Sequence, residues 1–204
     1  ARPPADPIEI MRRRFGEDMY IVHFQKPGEA DAVLSGDVAK TMTFFMRRPP
    51  PGTPPATGGL SRLSSETDGG ETTPAFPLIK MLEVYDPAFD PRQTFLTDEE
   101  MAVFVDTFKS TGFTGGINWY RNFTRNWTRS EGMANTVTVP SLMVMAEKDA
   151  VLPPSAADGM ETHVPDLEKI LIKDSGHWTQ QEEPEAVNRA ILDWLDRRFP
   201  NLSA

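Results

Sequence analysis

The stretch KDSGHWTQQEEPEAVNRAILDWL, Lys173 to Leu195, places a histidine at a junction. Ahead of it, LEKILIK (Leu167 to Lys173) is an apolar run of the kind that forms a β-strand. Behind it, PEAVNRAILDWLDRRF (Pro184 to Phe199) carries apolar residues at helical spacing and opens on a proline. His177 therefore falls on a loop held between two regular elements, the way a catalytic base is commonly presented.

Working back along the chain, TVTVPSLMVMAEKDAVLPP (Thr136 to Pro154) has a similar design. It predicts a buried strand over Val139 to Ala146, a charged turn, and a helix from about Pro153. Two strand–loop–helix units in succession indicate a parallel sheet of the α/β class. In such sheets reactive residues gather where the strands end. Asp149 follows the first strand and His177 the second, 28 residues later. Adjacent parallel strands would bring the two loops together. A carboxylate beside an imidazole fixes its tautomer and stabilises its protonated form. An Asp after a strand is by itself more often a helix cap, and a lone Gly-His pair says little. The pair at this spacing says more. Glu147 is a second candidate for the acid.

The first part of the chain reads as helical. PIEIMRRRFG (Pro7 to Gly16) has an Asp6 cap, Pro at the first position and a Gly stop. EDMYIVHFQKPG reads as extended or irregular. Residues 28–47 have helical spacing, with a break expected at Ser35-Gly36. LTDEEMAVFVDTFKSTGF (Leu96 to Phe113) carries a Thr97 cap, Glu100 at the capping-box position and Gly112 as stop. TGGINWYRNFTRNWTR (Thr114 to Arg129) reads as one aromatic-rich helix. Between these, residues 48–75 are rich in Pro, Gly, Ser and Thr and predict a long, flexible surface excursion.

Composition narrows the partners. The 204 residues carry 21 Lys and Arg against 30 Asp and Glu, a formal charge of −9. That disfavours nucleic acid and anionic membranes. There is no cysteine, hence no disulfide framework and no thiolate metal site. A cytoplasmic location fits. No apolar run approaches the roughly 18 residues of a spanning helix.

What an Asp–His pair serves is a nucleophile, and no Gly-x-Ser-x-Gly or Gly-x-Asp-x-Gly elbow occurs in the chain. The nearest sequence, SGDVAK, lies inside a helical pattern. The order acid-then-histidine is that of α/β-hydrolases, in which the nucleophile comes first. Four segments then carry a specific resemblance: FGEDMYIVHFQKPGEAD, TGGINWYRNFTRNW, PSLMVMAEKDAVLPP and DSGHWTQQEEPEAVNRAILDWL. In this order they resemble the C-terminal two-thirds of a soluble-type epoxide hydrolase of the α/β-hydrolase fold.

The resemblance implies a helical lid over residues 1–130 and the last strands and helices of the core over 131–204, with the N-terminal half of the core absent from this chain. It matches Tyr20 and Tyr120 to the lid tyrosines that donate to the epoxide oxygen, Asp149 to the acid and His177 to the base. It matches no residue to the Asp nucleophile, so the chain alone is expected to be inactive. The implied reaction opens an epoxide to a vicinal diol through an alkyl-enzyme ester, with no metal and no organic cofactor. Expected wall residues for an apolar substrate are Ile21, Phe44, Met145, Val151 and Trp178. The expected partners are a small lipophilic epoxide and the nucleophile-bearing half of the hydrolase; a homodimer is also compatible with the sequence. Alternatives are a haloalkane dehalogenase-like hydrolase and a non-catalytic lipophile-binding fragment. Tyr85, the third tyrosine, reads as structural.

Overall fold

The computed structural model describes residues 2–48 and 76–200. The excursion expected over 48–75 lies, Arg48 apart, outside them. The chain forms two compact units, one of residues 2–47 and 76–133, the other of residues 134–200.

The first unit is helical. Helix α1 (Pro7–Phe15) starts where the Asp6 carboxylate accepts the Ile8 N–H, and it ends at Gly16, whose φ of 81° no longer fits a helix. Helix α2 (Tyr20–His23) occupies a segment expected to be irregular. Its cap is unusual: the fully buried Met19 thioether accepts the Ile21 N–H at 3.3 Å. Helices α3 (Glu29–Gly36) and α4 (Val38–Phe45) meet at Asp37, one residue past the expected break. Helix α5 (Leu78–Val84) follows. Helix α6 (Asp98–Thr111) has the complete Thr97–Glu100 capping box and stops at Gly112. The single helix expected over Thr114 to Arg129 is two, α7 (Thr114–Arg121) and α8 (Phe123–Arg129). At the junction the Asn122 side chain donates to the Asn118 carbonyl at 2.8 Å. That local bond competes with the regular helical pattern.

The second unit contains a parallel strand pair, β1 (Ser141–Ala146) and β2 (Leu167–Ile172). Ser141 pairs with Leu167 and Ala146 with Ile172, so both strands end at the same edge. The ladder runs slightly further: Glu147 N–H donates to the Ile172 carbonyl at 3.0 Å and Lys148 N–H to that of Ser175 at 2.8 Å. Helix α9 (Thr179–Glu182) and helix α10 (Pro184–Arg198) close the unit. Val187 and Ala190 of α10 pack on Ile172, Ile170 and Val144, which fixes one face of the pair.

Two expectations fail here. The helix predicted from about Pro153 is a pair of short 3₁₀ turns, Pro154–Ala157 and Met160–Thr162. Gly159, at φ 75°, separates them and prevents a continuous helix. The run Val139 to Ala146 is not a buried strand: Val139 is 62% exposed and precedes the strand, and of the strand residues only Ala146 is buried. A two-stranded sheet has an open edge on each side, and the α10 contact covers one face. Leu171 on β2 is accordingly exposed.

Candidate active site

The ends of β1 and β2 place Asp149 and His177. Because the strands are parallel and in register, the Asp149 loop and the His177 loop leave from one edge. His177 Nδ1 lies 3.1 Å from Oδ1 and 3.0 Å from Oδ2 of Asp149. Oδ1 also accepts the N–H groups of Val151 and Leu152, at 2.8 and 2.9 Å. Asp149 is buried, 7% exposed. Burial pushes its carboxyl up; the His177 hydrogen bond and the Leu152 N–H, with the charge of His177 and the Val151 N–H, outweigh burial and hold it below the usual carboxylate range. Asp149 is therefore a carboxylate, an acceptor only, and Nδ1 must donate to it. Nε2 is left as the basic nitrogen. The His177 side chain is 42% exposed, open enough to meet water.

Glu147, the rival acid, does not approach His177 in this way. Its Oε2 accepts the Asp174 N–H at 3.0 Å. Asp174 has φ 59°, a left-handed conformation that Asp tolerates better than most residues. Its carboxylate is held by Lys148 Nζ at 2.7 Å. The two loops are thus stitched together by Glu147 and Lys148 from one side and Asp174 and Ser175 from the other.

In the helical unit, Tyr20 begins α2 and Tyr120 lies near the end of α7. Their rings meet edge-on, with centroids 5.5 Å apart and planes at 79°. Phe24 touches both, at 5.6 and 5.3 Å. Phe76 flanks Tyr20 and Phe123 flanks Tyr120. Backbone anchors hold this aromatic group. Gln25 Nε2 donates to the carbonyls of Ile21 and Tyr120, at 2.8 and 3.3 Å. Arg121 donates to the carbonyls of Phe24 and Lys26 and pairs with Asp31 at 3.3 Å. The Thr114 hydroxyl donates to the same Asp31, and with Arg121 it outweighs the cost of burial and holds that carboxyl low.

The expected wall residues fall in both units. Ile21 is buried in α2, and Met145 is half-buried on β1. Val151 caps Asp149 through its N–H, and Trp178 meets the His177 ring edge-on at 5.3 Å. Phe44 is buried among Phe45, Tyr85 and the Arg47 guanidinium, which lies 4.0 Å from the Phe44 ring and 4.4 Å from the Tyr85 ring. Tyr85 thus packs as a structural residue. Asp37, in the segment nearest to an elbow sequence, caps α4 by accepting the Lys40 N–H at 2.9 Å. Among the described residues no helix is long and apolar enough to cross a membrane.

Epoxide Hydrolase A of Mycobacterium tuberculosis is 38% identical over 198 residues, 95% of this chain and 57% of that protein. The chain is a homologue of the epoxide hydrolases. It aligns with their C-terminal part. The bifunctional epoxide hydrolase 2 of Mus musculus is 35% identical over 204 residues, 98% of this chain and 33% of that protein. The crystal structure of Epoxide Hydrolase A from Mycobacterium thermoresistibile superposes with a TM-score of 0.68 at 36% identity, over 95% of this chain and 57% of that one. No family model matches the sequence. The chain thus spans little more than half the length of the mycobacterial hydrolases and a third of the mouse protein, and it is an α/β fragment with a parallel strand pair that aligns with the C-terminal part of epoxide hydrolase structures.

One residue that the sequence did not single out stands out in the structure. Glu182, at the end of α9, reaches back to the turn that carries His177: its Oε2 accepts the Gly176 N–H at 2.9 Å and its Oε1 the Trp178 N–H at 3.1 Å. The only sequence signal is a Glu a few residues into a helix, a position from which a side chain can reach back to the start.

Proposed function

We propose that this chain is the lid and the end of the core of an epoxide hydrolase, and that Tyr20, Tyr120, Asp149 and His177 are its catalytic side chains. An aspartate on a segment outside these 204 residues attacks one epoxide carbon from behind the C–O bond. That bond breaks, an ester forms, and the departing oxygen takes up negative charge. Tyr20 and Tyr120 donate to this oxygen in the transition state and one of them supplies its proton. His177 Nε2 then takes a proton from a water molecule. The resulting hydroxide attacks the ester carbonyl and the acyl C–O bond breaks; the freed alkoxide takes the proton of the carboxylic acid so formed, the imidazolium returns its proton to the tyrosinate, and the diol leaves. Asp149 stabilises the imidazolium throughout. No step calls for a metal or an organic cofactor.

In this reading the helical unit serves as the lid and residues 134–200 as the end of the core. The protein acts in the cytoplasm on small lipophilic epoxides, whose apolar portion contacts Ile21, Phe44, Met145, Val151 and Trp178. The chain needs the nucleophile-bearing half, as part of the same polypeptide or as a second one, to turn over substrate.

The observation that carries the proposal is the edge-on contact of Tyr20 with Tyr120. An Asp–His pair serves many hydrolases, but two adjacent phenols suit a leaving oxygen that must stay attached to the carbon skeleton. A dehalogenase, whose leaving group is a halide, has no use for them. The test is a comparison of Tyr20→Phe and Tyr120→Phe with wild type in the protein that includes the nucleophile-bearing half. Each should lower kcat for epoxide opening by about 10²-fold. Unchanged epoxide turnover, or haloalkane turnover indifferent to both changes, would point to the dehalogenase chemistry instead.

A further inference from the structure

The turn that carries His177 is short of internal support. Residues 173–178, closing with the turn Ser175, Gly176, His177 and Trp178, link the end of β2 to α9, a helix of four residues. The first N–H groups of any helix, and those of the turn before it, lack partners within the helix. Here two of them, on either side of His177, are taken by the two oxygens of one carboxylate, Glu182. These are charge-assisted bonds and stronger than neutral ones. Gly176 fits this arrangement closely. A Cβ at that position would lie 2.9 Å from Oε1 and 3.1 Å from Oε2 of Glu182. Ser175, fully buried, ties the start of the same turn to α9 through the Thr179 hydroxyl.

We infer that Glu182 is a positioning residue for His177: its carboxylate clamps the N–H groups of Gly176 and Trp178 and so sets the direction in which the imidazole meets Asp149 and water. Asp149 fixes one ring nitrogen, but a single contact leaves the ring free to swing with its backbone. The Glu182 clamp removes that freedom from the residue before and the residue after. Trp178, whose N–H is clamped, also lies edge-on against the His177 ring. The clamp therefore acts on His177 through the backbone on both sides and through a neighbouring ring on one. This role builds on the epoxide-hydrolase reading, but its primary test does not depend on it.

The test follows the His177 Nδ1–H proton by NMR in the chain itself, together with thermal unfolding, for wild type and for Glu182→Ala, Glu182→Gln and Gly176→Ala. Held by Asp149, this proton should give a slowly exchanging downfield signal in wild type. Glu182→Ala should broaden or abolish it while the unfolding transition stays cooperative. Gly176→Ala should do the same by displacing the carboxylate. Glu182→Gln keeps one acceptor oxygen and should preserve a weakened signal. An unchanged signal in Glu182→Ala would overturn the inference. So would loss of the fold in all three variants, since Glu182 would then be holding the core rather than the histidine. A second readout uses single turnovers of the protein with its nucleophile-bearing half. Glu182→Ala should slow ester hydrolysis by about 100-fold and leave ester formation within about 2-fold, because only the first needs His177. Equal slowing of both steps would overturn the positioning role. If no ester forms even in wild type, the epoxide reading fails, and the NMR result still decides on Glu182.

Discussion

His177 Nδ1 sits 3.0 Å from Oδ2 of Asp149, although the two residues are 28 positions apart. The contact follows from strand geometry. β1 and β2 are parallel and end in register, so residues just beyond them meet at one edge. The carboxylate that receives the imidazole N–H is also held by two backbone N–H groups, so it is fixed before it fixes the ring.

Asp149→Asn should leave the fold intact and remove the orienting charge. Removing such an acid costs about 10³- to 10⁴-fold in the step that needs the base. In single turnovers with the nucleophile-bearing half, ester should accumulate while diol release slows. Equal slowing of ester formation would mean that Asp149 does not act through His177.

The same substitution should change acid stability. Asp149 is held below the ordinary carboxylate range, so the unfolded chain binds its proton more readily than the folded one. Its contribution to stability is complete above the unfolded value of about 3.9 and is lost as pH falls through the lower folded value. Thermal melts between about pH 2 and pH 5 should therefore show a shallower acid slope for Asp149→Asn than for wild type. Parallel slopes would show that the carboxylate is not held in this way.

Arg121 ties α7 to the end of α2 and to Asp31, and thereby sets the spacing of the tyrosine pair. Arg121→Ala removes bonds to two carbonyls and leaves Asp31 with the Thr114 hydroxyl alone from this cluster. A loss of about 2–3 kcal/mol is expected from hydrogen bonds to a charged group, measurable by urea unfolding. Epoxide opening should fall as well, whereas hydrolysis of a preformed ester should not. A variant as stable as wild type would contradict the anchoring role.

The ion pair of Arg47 with Asp90 is nearly dry, with side chains 6% and 4% exposed. Burial, with the charge of Arg92, weakens the hold of Arg47 on its proton, and the Tyr85 hydrogen bond and the charge of Asp90 counter this only in part. Asp90→Ala strands a buried guanidinium and should cost about 3–5 kcal/mol. Arg47→Met with Asp90→Leu should cost much less, because no buried charge is left unpaired: Arg92, which Asp90 also holds at 2.8 Å, is 39% exposed and remains solvated. A single and a double variant of equal stability would rule out a desolvated pair.

What could be read from the sequence were features with local causes. The Asp6 cap, the Thr97–Glu100 box, the Gly16 and Gly112 stops and the break near Ser35-Gly36 each depend on a few neighbouring residues. The Asp149–His177 contact was legible because strand period and loop order fix it. Other features depended on distant or unusual partners. Helix α2 is capped by a methionine sulfur, which no capping rule favours. The split at Asn122 turns on a side-chain bond to Asn118 that competes with helix continuation. The segment after Pro153 forms short turns rather than a helix because Gly159, in the left-handed region, breaks it. Glu182 was missed because its meaning depends on a turn folding back toward it across six residues.

The most direct test of the central claim is intact-mass analysis after a brief exposure of His177→Asn to a small lipophilic epoxide, with the nucleophile-bearing half present. Without its base the protein should still open the epoxide and then stall. A single adduct of the epoxide's mass should appear on the nucleophile-bearing part, and it should be absent when both Tyr20 and Tyr120 are phenylalanine. Diol production by His177→Asn at the wild-type rate, with no adduct, would contradict the account.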